Sequence, residues 1–178
     1  MKQVLSDLYE TRTDSPFPGL TTHAYLWTPA NILFYSPASE ADFDGLDRLG
    51  GVTHHYLSHR DEAGPMLARI AERFESTLHA PAGDLADITR HAHVDVPVTG
   101  RYTDTNGVEI IPTPGHSPGS VCYLVPAPRA ATCSPATLWC APNRAGGGPA
   151  TSTASTRPAM RRRSPRACGH SPSSPRMC

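Results

Sequence analysis

The chain has 178 residues, and its 16 Lys and Arg side chains balance 16 Asp and Glu side chains, giving a formal net charge of zero at pH 7. No apolar run approaches the ~20 residues that a membrane span requires, and the segment after Met1 lacks the apolar core of a signal peptide. Four of the five cysteines lie in the last third of the chain, so we expect no disulfide framework and a cytoplasmic location.

The hydrophobic pattern predicts a β-rich start followed by alternating helices and strands. Helices are expected at Glu40 to Leu49, Gly64 to Glu75 and Asp84 to His91, with Asp84 as the N-cap of the last one. Strands are expected at Gln3 to Tyr9, Ala24 to Thr28, Asn31 to Tyr35, Val52 to Leu57, Thr77 to Ala80, Val94 to Val98, Val108 to Ile111 and Val121 to Val125.

The segment from Val52 to Pro65 reads as a buried strand that ends in a loop of ligand-type side chains. His59 and Asp61 sit one residue apart at the carboxyl end of this strand, where open α/β sheets place their sites. Imidazole nitrogens and carboxylate oxygens are ordinary zinc ligands. His54 and His55 lie inside the strand, and for both we expect packing in the sheet rather than metal binding.

A second segment, Thr113 to Ser120, places two prolines and two glycines around His116, between two strand-like runs. These residues predict a tight, non-helical turn that holds the imidazole in a set direction, as a metal ligand or catalytic base requires. The alternative interpretation is a hairpin loop with an incidental histidine, because a motif with a single His is weak.

Together the two segments resemble the metallo-β-lactamase superfamily. Its signature is His-x-His-x-Asp-His and then Gly after a strand, followed later by a turn with Pro-Gly-His-Thr-Pro-Gly-Ser. Pro114 to Ser120 match the second motif, with Ser117 in place of Thr. The resemblance extends back to Thr21 and so covers roughly the first two-thirds of the chain.

The first motif matches in part. Aligning Asp61 with the family's Asp places His59 on the second His and Gly64 on the Gly. The same alignment places Leu57, which has no donor atom, on the first His, and places Glu62, a harder oxygen ligand, on the last one. In divergent members that carry Thr-His-Arg-Asp-Asp/Glu, His59 aligns instead with the first His, and both alignments stay open.

The resemblance implies an α+β fold, a metallo-β-lactamase-like αβ/βα sandwich in which two mixed sheets pack between outer helix layers. Residues 1–125 would supply the first half and the opening of the second, as an incomplete domain. It further implies a zinc-dependent hydrolase of a small-molecule substrate, with His59, Asp61, Glu62 and His116 as candidate metal ligands. We expect His59 and His116 to approach each other with Asp61 beside them, because two strand-end loops of one sheet meet when their strands are neighbours. In the family the equivalent of Asp61 binds the second metal and orients the nucleophile, so Asp61 is the candidate catalytic residue. The alternative is a non-catalytic, degenerate domain or a basic-tailed binding module without bound metal.

Residues 126–178 differ in kind from the rest of the chain. No Asp or Glu follows Glu109, and this tail holds eight Arg and no Lys, whereas residues 1–125 hold eight basic and 16 acidic side chains. A Pro-, Arg- and Ser-rich composition without hydrophobic periodicity predicts a disordered tail. The run Arg161 to Arg163 resembles a nucleic-acid patch by composition alone, so we expect no nucleic-acid partner.

A second interpretation is that the tail is read out of frame. The family carries a strand ending in Phe-Thr-Gly-Asp, whose Asp bridges the metals, where this chain has Cys133 to Thr137. The codons TGT-TCA-CCG-GCG-ACN for that segment, regrouped by one base, give (C)TG-TTC-ACC-GGC-GAC, which encodes Leu-Phe-Thr-Gly-Asp. The nucleotide sequence around the codons for Val125 to Thr137 distinguishes the two interpretations.

Overall fold

The computed structural model of the protein describes residues 1–126 and, for the backbone alone, residues 137–140. These residues form an α+β architecture with a seven-stranded sheet, a four-stranded sheet and a two-stranded hairpin. The mixed α+β class expected from the sequence is thereby confirmed. The predicted boundary between a domain at 1–125 and a tail at 126–178 stays a prediction.

Thirteen strands and three α-helices occur in the described chain. The helices are α1 Phe43–Arg48, α2 Met66–Phe74 and α3 Leu85–Ile88, and single 3-10 turns lie at Glu40–Asp42, Arg60–Glu62 and Ala82–Asp84. The strands are β1 Lys2–Leu5, β2 Leu8–Glu10, β3 Asp14–Phe17, β4 Leu20–Thr22, β5 Tyr25–Trp27, β6 Ile32–Phe34, β7 His54–Tyr56, β8 Thr77–Pro81, β9 Val96–Val98, β10 Tyr102–Thr103, β11 Glu109–Pro112, β12 Val121–Val125 and β13 Thr137–Cys140.

The larger sheet has the order β1-β2-β5-β6-β7-β8-β9. Its first four strands pair antiparallel, whereas β6 to β9 pair parallel. Parallel neighbours need crossover connections, and α1, α2 and α3 lie in those connections. The carboxyl ends of β7 and β8 therefore meet at one edge of the sheet, and the segments that follow these two strands lie side by side.

The smaller sheet, β10-β11-β12-β13, is antiparallel throughout and shares a core with one face of the larger sheet. Strand β6 shows why its residues form this layer. Ile32 and Phe34 point into the core between the sheets, where Tyr123 of β12 packs against Phe34. Leu33, one residue out of phase, packs on the opposite face with Ile70 of α2. This period-2 alternation of apolar side chains gives a layer order of helices, larger sheet and smaller sheet.

Two hydrogen bonds join the sheets where β7 ends. The Tyr123 hydroxyl donates to the Leu57 carbonyl at 2.7 Å, and the Val121 amide donates to the Ser58 carbonyl at 3.0 Å. The start of β12 is therefore fixed against the segment that follows β7. As a result, the loop before β12, which contains His116, faces the loop that contains His59.

The N-terminal strand prediction was wrong in extent. One strand was expected from Gln3 to Tyr9, but β1 and β2 form a hairpin in which Lys2 pairs with Glu10. The chain reverses at Asp7, whose carbonyl accepts from the Thr28 amide and whose carboxylate accepts from the Trp27 indole. Asp is favoured in turns because its oxygens accept hydrogen bonds from nearby donors, and these bonds stabilise the reversal of the chain at Asp7.

The last helix is also shorter than expected, because α3 ends at Ile88 instead of His91. The Thr89 hydroxyl donates to the Leu85 carbonyl, a side-chain bond that competes with continued helix. Asp84 occupies the predicted N-cap position of α3, but its side chain makes no cap hydrogen bond to the helix.

Strands β3, β4 and β10 were not predicted, and they are short and mostly exposed or half-buried. Strand β13 lies within the predicted disordered tail but pairs along β12, with Cys122 opposite Cys140 in the register. The rest of that tail lies outside the described residues. Cys122 is disulfide-bonded, contrary to the expectation from cysteine usage.

Within residues 1–126 and 137–140 we find no helix with the length and apolar character that crossing a membrane would demand.

Candidate metal site

His59 and Asp61 lie in the turn that follows β7. His59 precedes the 3-10 turn Arg60–Glu62 with an extended backbone, and its side chain is buried. Asp61 lies within the turn, and 60% of its side chain is exposed. The turn therefore presents one buried imidazole and one solvent-facing carboxylate at the carboxyl edge of the larger sheet.

His116 lies in the loop between β11 and β12 of the smaller sheet. Its side chain is 22% exposed, and its Nε2 lies 2.9 Å from Asp61 Oδ2. Its ring meets the His59 ring edge to face, with centroids 4.6 Å apart. One ligand atom from each of His59, Asp61 and His116 lies within 4.8 Å of the other two.

The predicted approach of His59, Asp61 and His116 is thus confirmed as geometry, although its stated reason was wrong. We expected neighbouring strands of one sheet to bring the two loops together. Instead the loops belong to different sheets, and they meet because the sheets pack face to face with β12 bonded to the end of β7.

Glu62 does not join this three-residue cluster. Its buried carboxylate lies behind His59, where it accepts from the Ser58 amide at 2.7 Å and from the Ser58 hydroxyl. Glu62 Oε1 also lies 3.0 Å from His59 Nδ1. With Nδ1 engaged by the carboxylate, Nε2 is the His59 nitrogen left for a ligand.

Glu62 also governs the proton affinity of His59. Burial, the largest single influence, lowers the pKa of His59, but the hydrogen bond and charge of Glu62, helped by Asp61 and Asp84, outweigh it. The net result is a pKa raised above its ordinary value. The histidine therefore favours a proton on Nδ1, where the carboxylate accepts it.

Leu57, which the resemblance places on a ligand position, is fully buried with its side chain in the core beneath α2 and α3. Its role here is packing, and its carbonyl anchors Tyr123. The prediction that His55 packs in the sheet is confirmed: it is fully buried, and its Nε2 lies 3.0 Å from the Tyr35 carbonyl. Burial lowers the pKa of His55 to about 4.

One residue next to the site, Asp84, was not predicted to contact it. Asp84, in the turn after β8, is buried, and its carboxylate bonds the loops of both histidines. Its position directly after a parallel strand that neighbours β7 was a signal for this location, because such strand ends share an edge. We read Asp84 as a helix cap because the residues after it have a helical pattern.

No family model matches the chain, and no curated protein matches it. Among solved structures, a metallo-β-lactamase from Staphylococcus aureus subsp. aureus COL is similar, with 13% identity and a TM-score of 0.48. The match covers 67% of this chain and 37% of that one, so this chain spans well under half the length of that protein. A likeness of this size identifies neither the family nor the activity.

Proposed function

We propose that this chain is a metal-dependent hydrolase domain in which metal binding is impaired. The single observation that carries the proposal is the convergence of His59, Asp61 and His116, from two different sheets, with ligand atoms within 4.8 Å. Residues so far apart in sequence meet only because the packing of the sheets brings their loops together.

The donor set fits a zinc ion. Two imidazoles and one carboxylate make three protein ligands, the number that catalytic zinc sites use with a fourth position left open. Glu62 adds a feature that such sites share, since a carboxylate on the other ring nitrogen fixes the tautomer and orientation of a ligating histidine. We therefore assign His59, Asp61 and His116 as the ligands and Glu62 as the partner of His59.

A zinc ion held there would supply Lewis acidity and lower the pKa of a water molecule to about 7. The side chains of the protein would hold the ion and orient the water molecule. Glu62 would keep the proton of His59 on Nδ1, and the half-buried His116 would hold the ion from the smaller sheet. Asp61 is the candidate catalytic residue because its exposed carboxylate can accept a hydrogen bond from water and orient it toward a small-molecule substrate.

Impaired binding follows from the same residues. Leu57 offers no donor where the resemblance expects a histidine, and Glu62 is committed to Ser58 and His59. The acid that bridges the metals in the family is missing from its expected place, Cys133 to Thr137. With three ligands, one of them mostly exposed, we expect weak zinc binding and little or no hydrolysis.

One observation favours a second candidate, a non-catalytic domain without metal. Asp61 Oδ2 and His116 Nε2 already satisfy each other at 2.9 Å, so these two groups are paired without an ion. A cluster that satisfies its own polar groups needs no metal to remain folded.

Two measurements test the proposal: the zinc stoichiometry after dialysis and the rate of hydrolysis of thioester and ester substrates. We expect substoichiometric zinc, a cobalt absorption spectrum typical of nitrogen and oxygen ligands, and loss of both in His116→Ala. The matched control is His93→Ala, because the His93 side chain is 87% exposed and lies outside the cluster. Zinc retention in His116→Ala equal to that of the control would refute the metal site and leave the non-catalytic domain.

A further inference from the structure

We infer that Asp84 is a positioning residue for the candidate metal site, so this inference rests on the proposed function. Asp84 is 2% exposed and lies in the 3-10 turn between β8 and α3. Its carboxylate binds the main chain of both ligand loops without being a ligand itself.

The contacts divide between the two carboxylate oxygens. Oδ2 accepts from the Arg60 amide at 3.1 Å and from the Ser117 hydroxyl, whereas Oδ1 accepts from the Gly119 amide at 3.1 Å. Arg60 stands between His59 and Asp61 in the sequence, and Ser117 directly follows His116. One buried carboxylate thus joins the two loops that supply all three candidate ligands.

Two glycines allow the loops to approach each other this closely. A Cβ on Gly83 would lie 2.9 Å from the Cα of Gly119, and a Cβ on Gly119 would lie 2.7 Å from the Asp84 Cγ. Both distances are shorter than packed carbon atoms tolerate. The turn after β8 and the loop of His116 are therefore in backbone contact, and the carboxylate of Asp84 reaches its donors directly.

Asp84→Asn separates the positioning role from shape, because the two side chains have nearly the same size. An amide has one acceptor oxygen and one NH₂ donor. If its oxygen takes the place of Oδ2, its NH₂ faces the Gly119 amide. If its oxygen takes the place of Oδ1, its NH₂ faces the Arg60 amide. Either orientation sets donor against donor and releases one ligand loop.

The matched control is Asp104→Asn. The Asp104 carboxylate also accepts from two backbone amides, those of Asn106 and Val108, and from one hydroxyl, that of Tyr56. None of these partners lies on a ligand loop. Asp104→Asn therefore neutralises a carboxylate with the same kinds of donors, both amides bonding Oδ1, at a place with no connection to the metal ligands.

The experiment compares cobalt and zinc titrations of the full chain, Asp84→Asn and Asp104→Asn, with amide hydrogen exchange measured without metal. We expect Asp84→Asn to weaken metal binding by ~10–100-fold, the range typical for supports of metal ligands. Exchange at the Arg60 or Gly119 amide should accelerate, and the cobalt spectrum should change. Asp104→Asn should leave both the affinity and the spectrum unchanged.

The outcomes are distinguishable. Equal metal affinity in wild type and Asp84→Asn, or equal losses in both variants, would overturn the positioning role while leaving the metal site intact. If the wild-type chain binds no metal, the proposed function fails, and unchanged exchange at both amides in Asp84→Asn would overturn the positioning role as well. Should Asp84→Asn not fold, Ser117→Ala removes the hydroxyl that donates to Asp84 and also contacts the Ser120 hydroxyl. We expect this variant to weaken cobalt binding severalfold, and an unchanged affinity would overturn the positioning role.

Discussion

Two pairs of histidines lie on or beside the larger sheet, and their surroundings differ. His59 and His116 meet at the strand ends among carboxylates. His54 and His79 meet within the sheet, with His54 Nδ1 3.1 Å from His79 Nε2 and Tyr56 stacked on the His79 ring at 4.1 Å. The ring centroids are 5.2 Å apart in the second pair and 4.6 Å apart in the first, so contact between imidazoles does not by itself indicate a metal site.

The difference lies in which charges surround each pair. Glu62 contacts His59 directly, and the pKa of His59 is raised. Burial, reinforced by His54, lowers the pKa of His79 to about 4, against the opposing charges of Asp104 and Asp95. His59 is therefore suited to exchanging a proton for a cation, whereas His79 is suited to remaining neutral.

The largest effect should come from removing a ligand. We expect His116→Ala to weaken zinc binding by more than about 100-fold, because even outer partners of a ligand typically contribute ~10–100-fold. His54→Ala, in the pair within the sheet, should leave the affinity unchanged. Isothermal titration calorimetry measures the zinc affinity of both variants. Similar losses of affinity in the two would show that the pair at the strand ends is no more involved in metal binding than the pair in the sheet.

A smaller effect should come from Glu62→Gln. The amide can still accept from Ser58, but it no longer provides the negative charge that holds the proton on His59 Nδ1, so zinc affinity should fall by ~10-fold or more. Glu72→Gln is the control, because the Glu72 side chain is 76% exposed and pairs with Arg69 on α2, away from the site. An unchanged zinc affinity in Glu62→Gln would show that the carboxylate does not support His59.

Acid should lower the stability of the fold through two buried histidines of the larger sheet, His55 and His79. His55 and His79 have pKa values of about 4 in the folded chain, below the ordinary value of 6.5. Between these values the unfolded chain binds protons that the folded chain excludes. The free energy of unfolding should therefore fall as pH drops below ~6.5, by up to ~1.4 kcal/mol per pH unit for each histidine, until pH ~4.

The variant His79→Gln isolates one of these protons. Its free energy of unfolding, measured in denaturant at several pH values without metal, should fall less steeply between pH 6.5 and 4 than that of the wild type. His93→Gln, at an exposed position, should keep the wild-type slope. An unaltered slope in His79→Gln would mean that His79 takes up its proton without unfolding.

The sequence predicted the parts of the fold that depend on local patterns. The alternating apolar residues of β6 and the helical face of α2 were sufficient to locate both elements, and the strand-end position of His59 and Asp61 predicted the edge that bears the site. The sequence could not predict that the loop of His116 arrives from a second sheet, since that depends on how Tyr123 and its neighbours pack across the core. It also missed Asp84 as a partner of both loops, because those hydrogen bonds join residues 24 to 35 positions apart.

The smallest effect should come from His54→Gln, which tests whether contact between the rings stabilises the sheet. His54 is half-buried, and its ring contacts Tyr56 as well as His79. A glutamine amide can replace the hydrogen bond to His79 Nε2, so the variant loses only the ring packing, worth about 1 kcal/mol. Zinc affinity should not change, because His54 lies outside the cluster of three ligands. Denaturant unfolding and zinc titration of the same preparation separate the two quantities. A loss of zinc binding without a loss of stability would place His54, and with it the pair in the sheet, in the metal site after all.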